Sequence, residues 1–145
     1  MISPAVILSE YLIDEGLFTA PSDEDSWPLY ISSVPDADTV ENDLGGIYDT
    51  EGLKDGRIMS SGETIFHYGF QVRVRSEDYQ DGWDKLHEVN ELLVAVTNEV
   101  VTVASVDYLV ESISQISSIM SLGVEEGTKR RYNFTVNFLA TMKEN

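Results

Sequence analysis

Two segments alternate apolar and polar residues with the period of a strand. In residues 65–75 (IFHYGFQVRVR), Phe66, Tyr68, Phe70, Val72 and Val74 fall on one side. His67, Gly69, Gln71, Arg73 and Arg75 fall on the other. From Arg131 to Met142 the pattern repeats, with Tyr132, Phe134, Val136, Phe138 and Ala140 facing a core and Asn133, Thr135 and Asn137 facing out. Two other segments have helical spacing. Ser3-Pro4 opens the first, because serine caps well and proline suits the first helical position. Val6, Ile7, Leu8, Tyr11, Leu12 and Ile13 continue it, Gly16 stops it, and Leu17 and Phe18 fold back onto the core. The second runs through Tyr79, Trp83, Leu86, Asn90, Leu93 and Thr97, widened by Val89, Leu92 and Val96. Ser76 is predicted to cap its start, with Glu77 and Asp78 suiting the helix dipole, and Asn98 to cap its end.

Weaker signals fill the remainder. Residues 19–28 read as a loop, and Leu29 to Val34 as a short strand ended by Pro35. Residues 100–104 form a strand, and residues 108–119 a longer one in which neither face is wholly apolar, so helix stays open there. Gly123 to Gly127 reads as a turn. Residues 36–62 are rich in Asp, Glu and Gly without a sustained period, and only Ile47-Tyr48 and Arg57-Ile58-Met59 read as short extended pieces. The predicted fold is α+β: an antiparallel sheet of about four strands, two helices packed on one face and a long acidic loop, in a single domain spanning 1–145.

Charge changes the picture. The chain has 26 acidic and 9 basic residues and a net charge of −17. Residues 1–55 hold 13 acids and one base, net −12, and residues 56–145 hold 13 acids and 8 bases, net −5. A surface this acidic argues against gripping nucleic acid, which needs clustered Lys and Arg. It suits either solvated loops or a negative surface that repels DNA or attracts a basic partner. There is no cysteine, which excludes disulfides and thiolate metal sites. Apolar runs fall short of a membrane span, and the N-terminal stretch has no basic region ahead of it, so a soluble cytoplasmic domain is expected.

The search for chemistry finds no enzyme signature. His67 and His87, the only histidines, sit on a strand and a helix without further metal-ligand spacing. Asp36-x-Asp38 starts like a calcium loop, but Val40 and Glu41 stand where an oxygen ligand and a glycine are wanted, which leaves only an irregular divalent site within 36–55 as an alternative. No phosphate-cradling glycine motif or nucleophile elbow occurs, and Ser60-Ser61-Gly62 has no recognisable base. No catalytic, cofactor or metal residue is assigned. Scarce basic residues are more informative. Arg73 and Arg75 share a strand face, and Lys129, Arg130 and Arg131 open the last strand. They either pair with acids inside the monomer or meet the acidic surface of a neighbouring copy, so these five are the candidate subunit or tube interface. The uncharged polar face of Gln71, Asn133, Thr135 and Asn137, and its edges, can also receive another chain's strand.

The string Gly69 to Ser76 (GFQVRVRS), followed by a helix from Asp78-Tyr79, resembles the tail terminator and minor capsid (tail completion) proteins of long-tailed bacteriophages. So do Tyr108, Ser112 to Ile116, Leu122 to Gly127 and Arg131 to Phe138, in that order. The resemblance covers most of the chain in element order and short strings. It implies a structural virion protein, not an enzyme, assembled in the host cytoplasm and located at the head–tail junction. Such a protein works as a homo-hexameric ring that caps the tail tube, ends its polymerisation and presents the head–tail joining surface. Its partners would be further copies of itself, the tail tube protein and a head-completion or connector protein. DNA would pass without specific binding, and neither a membrane nor a cofactor is implied.

Three alternatives remain at this level. One is another connector layer of the head–tail junction. Another is an acidic monomeric or dimeric binding module that mimics DNA or inhibits a basic partner. The third is an enzyme using the acidic loop with a divalent metal.

Overall fold

The computed structural model of the protein describes residues 1–21, 27–33, 43–57, 59–60, 62, 64–125 and 130–145, without the side chains of 54–57, 64, 65 and 125. Helix α1 spans Pro4–Asp14 and α2 Tyr79–Val94. The strands are β1 (Leu29–Ile31), β2 (Leu44–Arg57), β3 (Thr64–Ser76), β4 (Thr97–Val103), β5 (Val106–Gln115), β6 (Met120–Glu125) and β7 (Arg131–Glu144).

α1 begins and ends as its sequence dictates. The Ser3 hydroxyl accepts the Val6 N–H, with Pro4 in the first turn. Past the Glu15 cap, the Gly16 N–H donates to the Ile13 carbonyl and the Leu17 N–H to that of Leu12. This is a Schellman ending, and it needs the left-handed backbone that Gly16 adopts at φ 82°. Phe18 is buried in the core behind it.

α2 corrects two expectations. Its N-cap is Asp78, whose carboxylate accepts the Asp81 N–H at 3.0 Å. Ser76 lies at the end of β3, where its hydroxyl donates to Asp43 at 2.7 Å and accepts the Asp78 N–H at 3.2 Å. At the other end Ala95 is the cap, and Asn98 belongs to β4 with φ 50°. Asparagine tolerates that conformation, so its left-handed propensity serves the turn into the strand instead of the helix end.

The sheet corrects the predicted fold class. It has seven strands instead of about four and is mixed, since β1 runs parallel to β2 while all other pairs are antiparallel. The order is β1-β2-β3-β7-β5-β4, with β6 also on β7. β7 is therefore the spine. It pairs with β3 along one side, and on the other with β6 over its first half and β5 over its second.

The long acidic loop is corrected too. Residues 44–57 of the predicted 36–62 form β2, paired with β3 from Leu44↔Arg75 to Arg57↔Thr64. Residues 34–42 lie outside the described residues. β2 has no readable period because its register shifts twice, between Thr50 and Leu53 and between Lys54 and Gly56.

The ambiguity of residues 108–119 also has a cause. Val110 pairs with Met142 and Ser112 with Thr141, so Glu111 is an extra residue in β5. Tyr108 and Val110 are buried before this bulge and Ile113 after it, so the inward phase changes from even to odd numbers. Of the predicted turn at Gly123–Gly127, residues 123–125 belong to β6 instead, with Gly123 beside a bulge at φ 89°, and residues 126–129 lie outside the described residues.

Both helices contribute to one apolar cluster. α1 supplies Ala5, Ile7, Leu8 and Leu12, and α2 supplies Leu86, Val89 and Leu93. Opposite them stand Phe70, Val72 and Val74 of β3 and Phe134, Val136, Phe138 and Ala140 of β7. Each large side chain buried there contributes about 1.5–3 kcal/mol. The Phe70 and Phe138 rings stack with centroids 5.0 Å apart. Two glycines permit close approaches in this core. A Cβ on Gly82 of α2 would lie 2.7 Å from the Phe134 ring, and one on Gly45 of β2 would collide with the Phe18 ring.

Candidate assembly surface

Cross-strand partners point to the same side of a sheet. The face of β3 and β7 away from the helices therefore carries polar pairs in register, Gln71–Asn137, Arg73–Thr135 and Arg75–Asn133, with His67 and Thr141 meeting just past the last register pair. The Gln71 amide donates to Asn137 Oδ1 at 3.0 Å, and His67 Nδ1 lies 2.7 Å from the Thr141 hydroxyl.

At the end of this row of pairs nearest the start of β7, this face is no open surface. Arg75 is 1% exposed and Arg131 3%, while Asn133, Thr135 and Leu44 are buried with them. The outward, solvent-facing placement predicted for Asn133 and Thr135 is corrected accordingly. Arg75 and Arg131 are engaged within the fold. Arg73 is half-buried opposite Gly46 and Thr135, and its Nε has no hydrogen-bond partner among the described residues. Arg130 is exposed just before β7. Lys129 lies outside the described residues. The structure thus brings Arg73 and Arg75 onto one face as predicted, and separates buried Arg131 from exposed Arg130.

The β2–β3 hairpin is the feature that periodicity missed. β3 pairs with β7 only as far as Tyr68↔Ala140, whereas its pairing with β2 continues to Arg57↔Thr64. The outer part of the hairpin is therefore paired only within itself, with Leu53, Met59 and Phe66 exposed. The signal was the glycines. A Cβ on Gly52 or Gly69 would collide with the carbonyl of His67 or Glu51, so close backbone crossing at the bulge requires both.

The outer side of α2 is acidic, with Asp81, Asp84, Glu88 and Glu91 all exposed. The Asp81 carboxyl is pushed up from the ordinary range, chiefly by the neighbouring Asp78 charge. On its flank, Lys85 Nζ sits 5.2 Å from the ring centres of both Phe18 and Trp27. Burial lowers its pKa, opposed by Glu88. His87 pairs with Glu91 at 3.1 Å one turn on. Among the described residues no group of three or more His, Cys, Asp or Glu could hold a metal ion, and the Asp36-x-Asp38 stretch lies outside them. No helix among the described residues is long and apolar enough to cross a membrane.

The family model described as bacteriophage tail terminator protein matches residues 11–142. The chain belongs to the bacteriophage tail terminator family. The match takes in β1 to β6, α2 and all but the last two residues of β7, and it assigns this tail terminator family member a structural role in the virion tail. No curated protein matches the chain. One solved structure, which carries only a sequence identifier for a name, is similar over 97% of each chain at 13% identity and a TM-score of 0.42.

Proposed function

We propose that the protein caps the tail tube as a closed ring, ends tube polymerisation and presents the surface to which the head is joined. The observation that carries this reading is the tail terminator family match over residues 11–142. Three features support it. A closed ring uses heterologous contacts whose rotation closes, and the sheet has distinct free edges for such contacts. The β2–β3 hairpin offers exposed Leu53, Met59 and Phe66 to a neighbouring subunit or to the tube. The −17 charge gives a lumen that DNA traverses without adhering.

In this reading the six-membered ring is the working form. The tail tube protein and a head-completion or connector protein are its partners, and DNA passes without specific contacts. Arg73, Arg75, Lys129, Arg130 and Arg131 remain the proposed subunit or tube interface. Exposed Arg130 makes contact directly, and buried Arg75 and Arg131 act by holding their part of the surface in shape. The work is done by interfaces, and no catalytic group or cofactor takes part.

Light scattering after size exclusion, over a concentration series at low and high salt, tests the ring. A six-subunit mass that grows as salt screens the charge is the expected result. A fixed dimer at every salt and concentration would contradict it.

A further inference from the structure

The longest stretch of this acidic chain without a charged residue is Ser112–Val124. It contains all of β6 but its last residue, Glu125, and β6 pairs only with β7 among the described strands. Every residue from Met120 to Val124 is exposed. Met120, Leu122 and Val124 are 43%, 49% and 39% exposed, and Ile116 just before them 54%. An apolar edge strand whose only charge stands at its end is a template for another strand, and monomeric proteins protect such edges with Lys, Pro or a covering element.

We infer that β6 is the strand by which one copy of this chain joins the next, by antiparallel pairing with the neighbour's β1. This rests on the ring reading above and names the surface that would make the ring. Two observations select a second copy as the occupant. First, two molecules of charge −17 repel, and the charge-free strip is where they approach at least cost. A basic partner would gain nothing there and would seek the acidic side of α2. Second, the fold supplies a matching edge. Strands β1-β2-β3-β7-β6 form a continuous ribbon whose last strands are β1 and β6. The outer edge of β1 is bridged by Thr19 as far as the Leu29 N–H, so the part offered to a neighbour begins at Ile31. β1 is also uncharged, with Ile31, Ser32 and Ser33 exposed at its end. Taking β1 as up, the pairings make β2 up, β3 down, β7 up and β6 down. Copies placed head to tail in one orientation therefore bring β6 against β1 antiparallel, and the sheet runs on from subunit to subunit. The remaining edge, β4, lies on the same side of β7 as β6, so head-to-tail copies do not bring it against β6.

The absence of cysteine makes the test clean. Ser121→Cys in β6 and Ser33→Cys beside β1 are introduced singly and together, and each protein is treated with a short bis-thiol crosslinker. Native mass is measured in parallel. The double variant is expected to give a covalent ladder up to the ring, with little linkage in either single variant. Leu122→Glu with Val124→Glu is expected to keep the thermal midpoint, since both side chains are exposed, and to lose ring mass by tenfold or more in concentration. A ring without the ladder overturns the β6–β1 contact and leaves the ring reading intact. Strong dimer linkage in Ser121→Cys alone means that β6 meets β6, which also overturns it. A protein that stays monomeric at every salt and concentration removes both the contact and a ring that forms unaided.

Discussion

The Asp49 carboxylate, on β2, accepts hydrogen bonds from the Ser3 hydroxyl at 2.6 Å and the Ala5 N–H at 2.9 Å. A strand residue thereby completes the cap of α1 from 44 positions away, and negative charge stands where the helix dipole favours it. Loss of an N-cap interaction costs about 0.5–2 kcal/mol. Asp49→Ala is expected to fall in that range by urea unfolding, and Asp49→Asn to lose less. An unchanged midpoint in Asp49→Ala would show that Ser3 caps α1 unaided.

Gly82 is predicted to reject a side chain. Alanine would gain about 1 kcal/mol in helix propensity. Its Cβ would also lie 2.7 Å from the Phe134 ring and 3.1 Å from Ser76 Cβ, both buried. Overpacking of a tight core costs about 1–3 kcal/mol. Gly82→Ala should be net destabilising in thermal unfolding, and a gain in stability would show that α2 can lift off β7 freely.

Arg130 and Arg131 are neighbours with opposite predicted behaviour. Arg130→Glu changes an exposed site and should shift stability by no more than about 0.5 kcal/mol while weakening assembly. Arg131→Glu reverses a charge that is 3% exposed and should cost about 3–5 kcal/mol. Equal melting curves for the two variants would contradict the burial of Arg131.

Alkaline pH should weaken the fold in part through Tyr11. The phenol's pKa is raised by burial first, then by Glu15 and Glu99. The folded state therefore holds the proton more tightly than the unfolded state. The resulting stability is fully present below the ordinary tyrosine pKa of about 10 and is lost as pH rises through the folded value. Tyr11→Phe should lose less stability than the wild type between pH 8 and pH 11 in urea midpoints. Parallel losses would show that Tyr11 does not contribute.

Much of the fold was legible where one residue pattern served one environment. β3, β7 and α1 declared themselves because Phe70, Val72, Phe134 and Phe138 alternate onto a single core and Ser3-Pro4 caps locally. β2 stayed hidden because Gly45, Gly46, Gly52 and Gly56 have little strand propensity of their own, and pairing with β3 imposes the extended form. The Glu111 bulge concealed β5 by switching its inward face midway. The candidate surface was half legible. Arginines on a polar strand face read as paired within the monomer or met by a neighbouring copy, and alternation alone does not show that the far side of a sheet is covered at Arg75.

The central claim concerns the end of a growing tube. Tail tube protein should be polymerised with and without this chain, and tube lengths and ends measured by electron microscopy. The account predicts tubes that stop lengthening once the chain is added, each with a ring of density at one end. Tubes that grow on unchanged, with the protein absent from their ends, would contradict it.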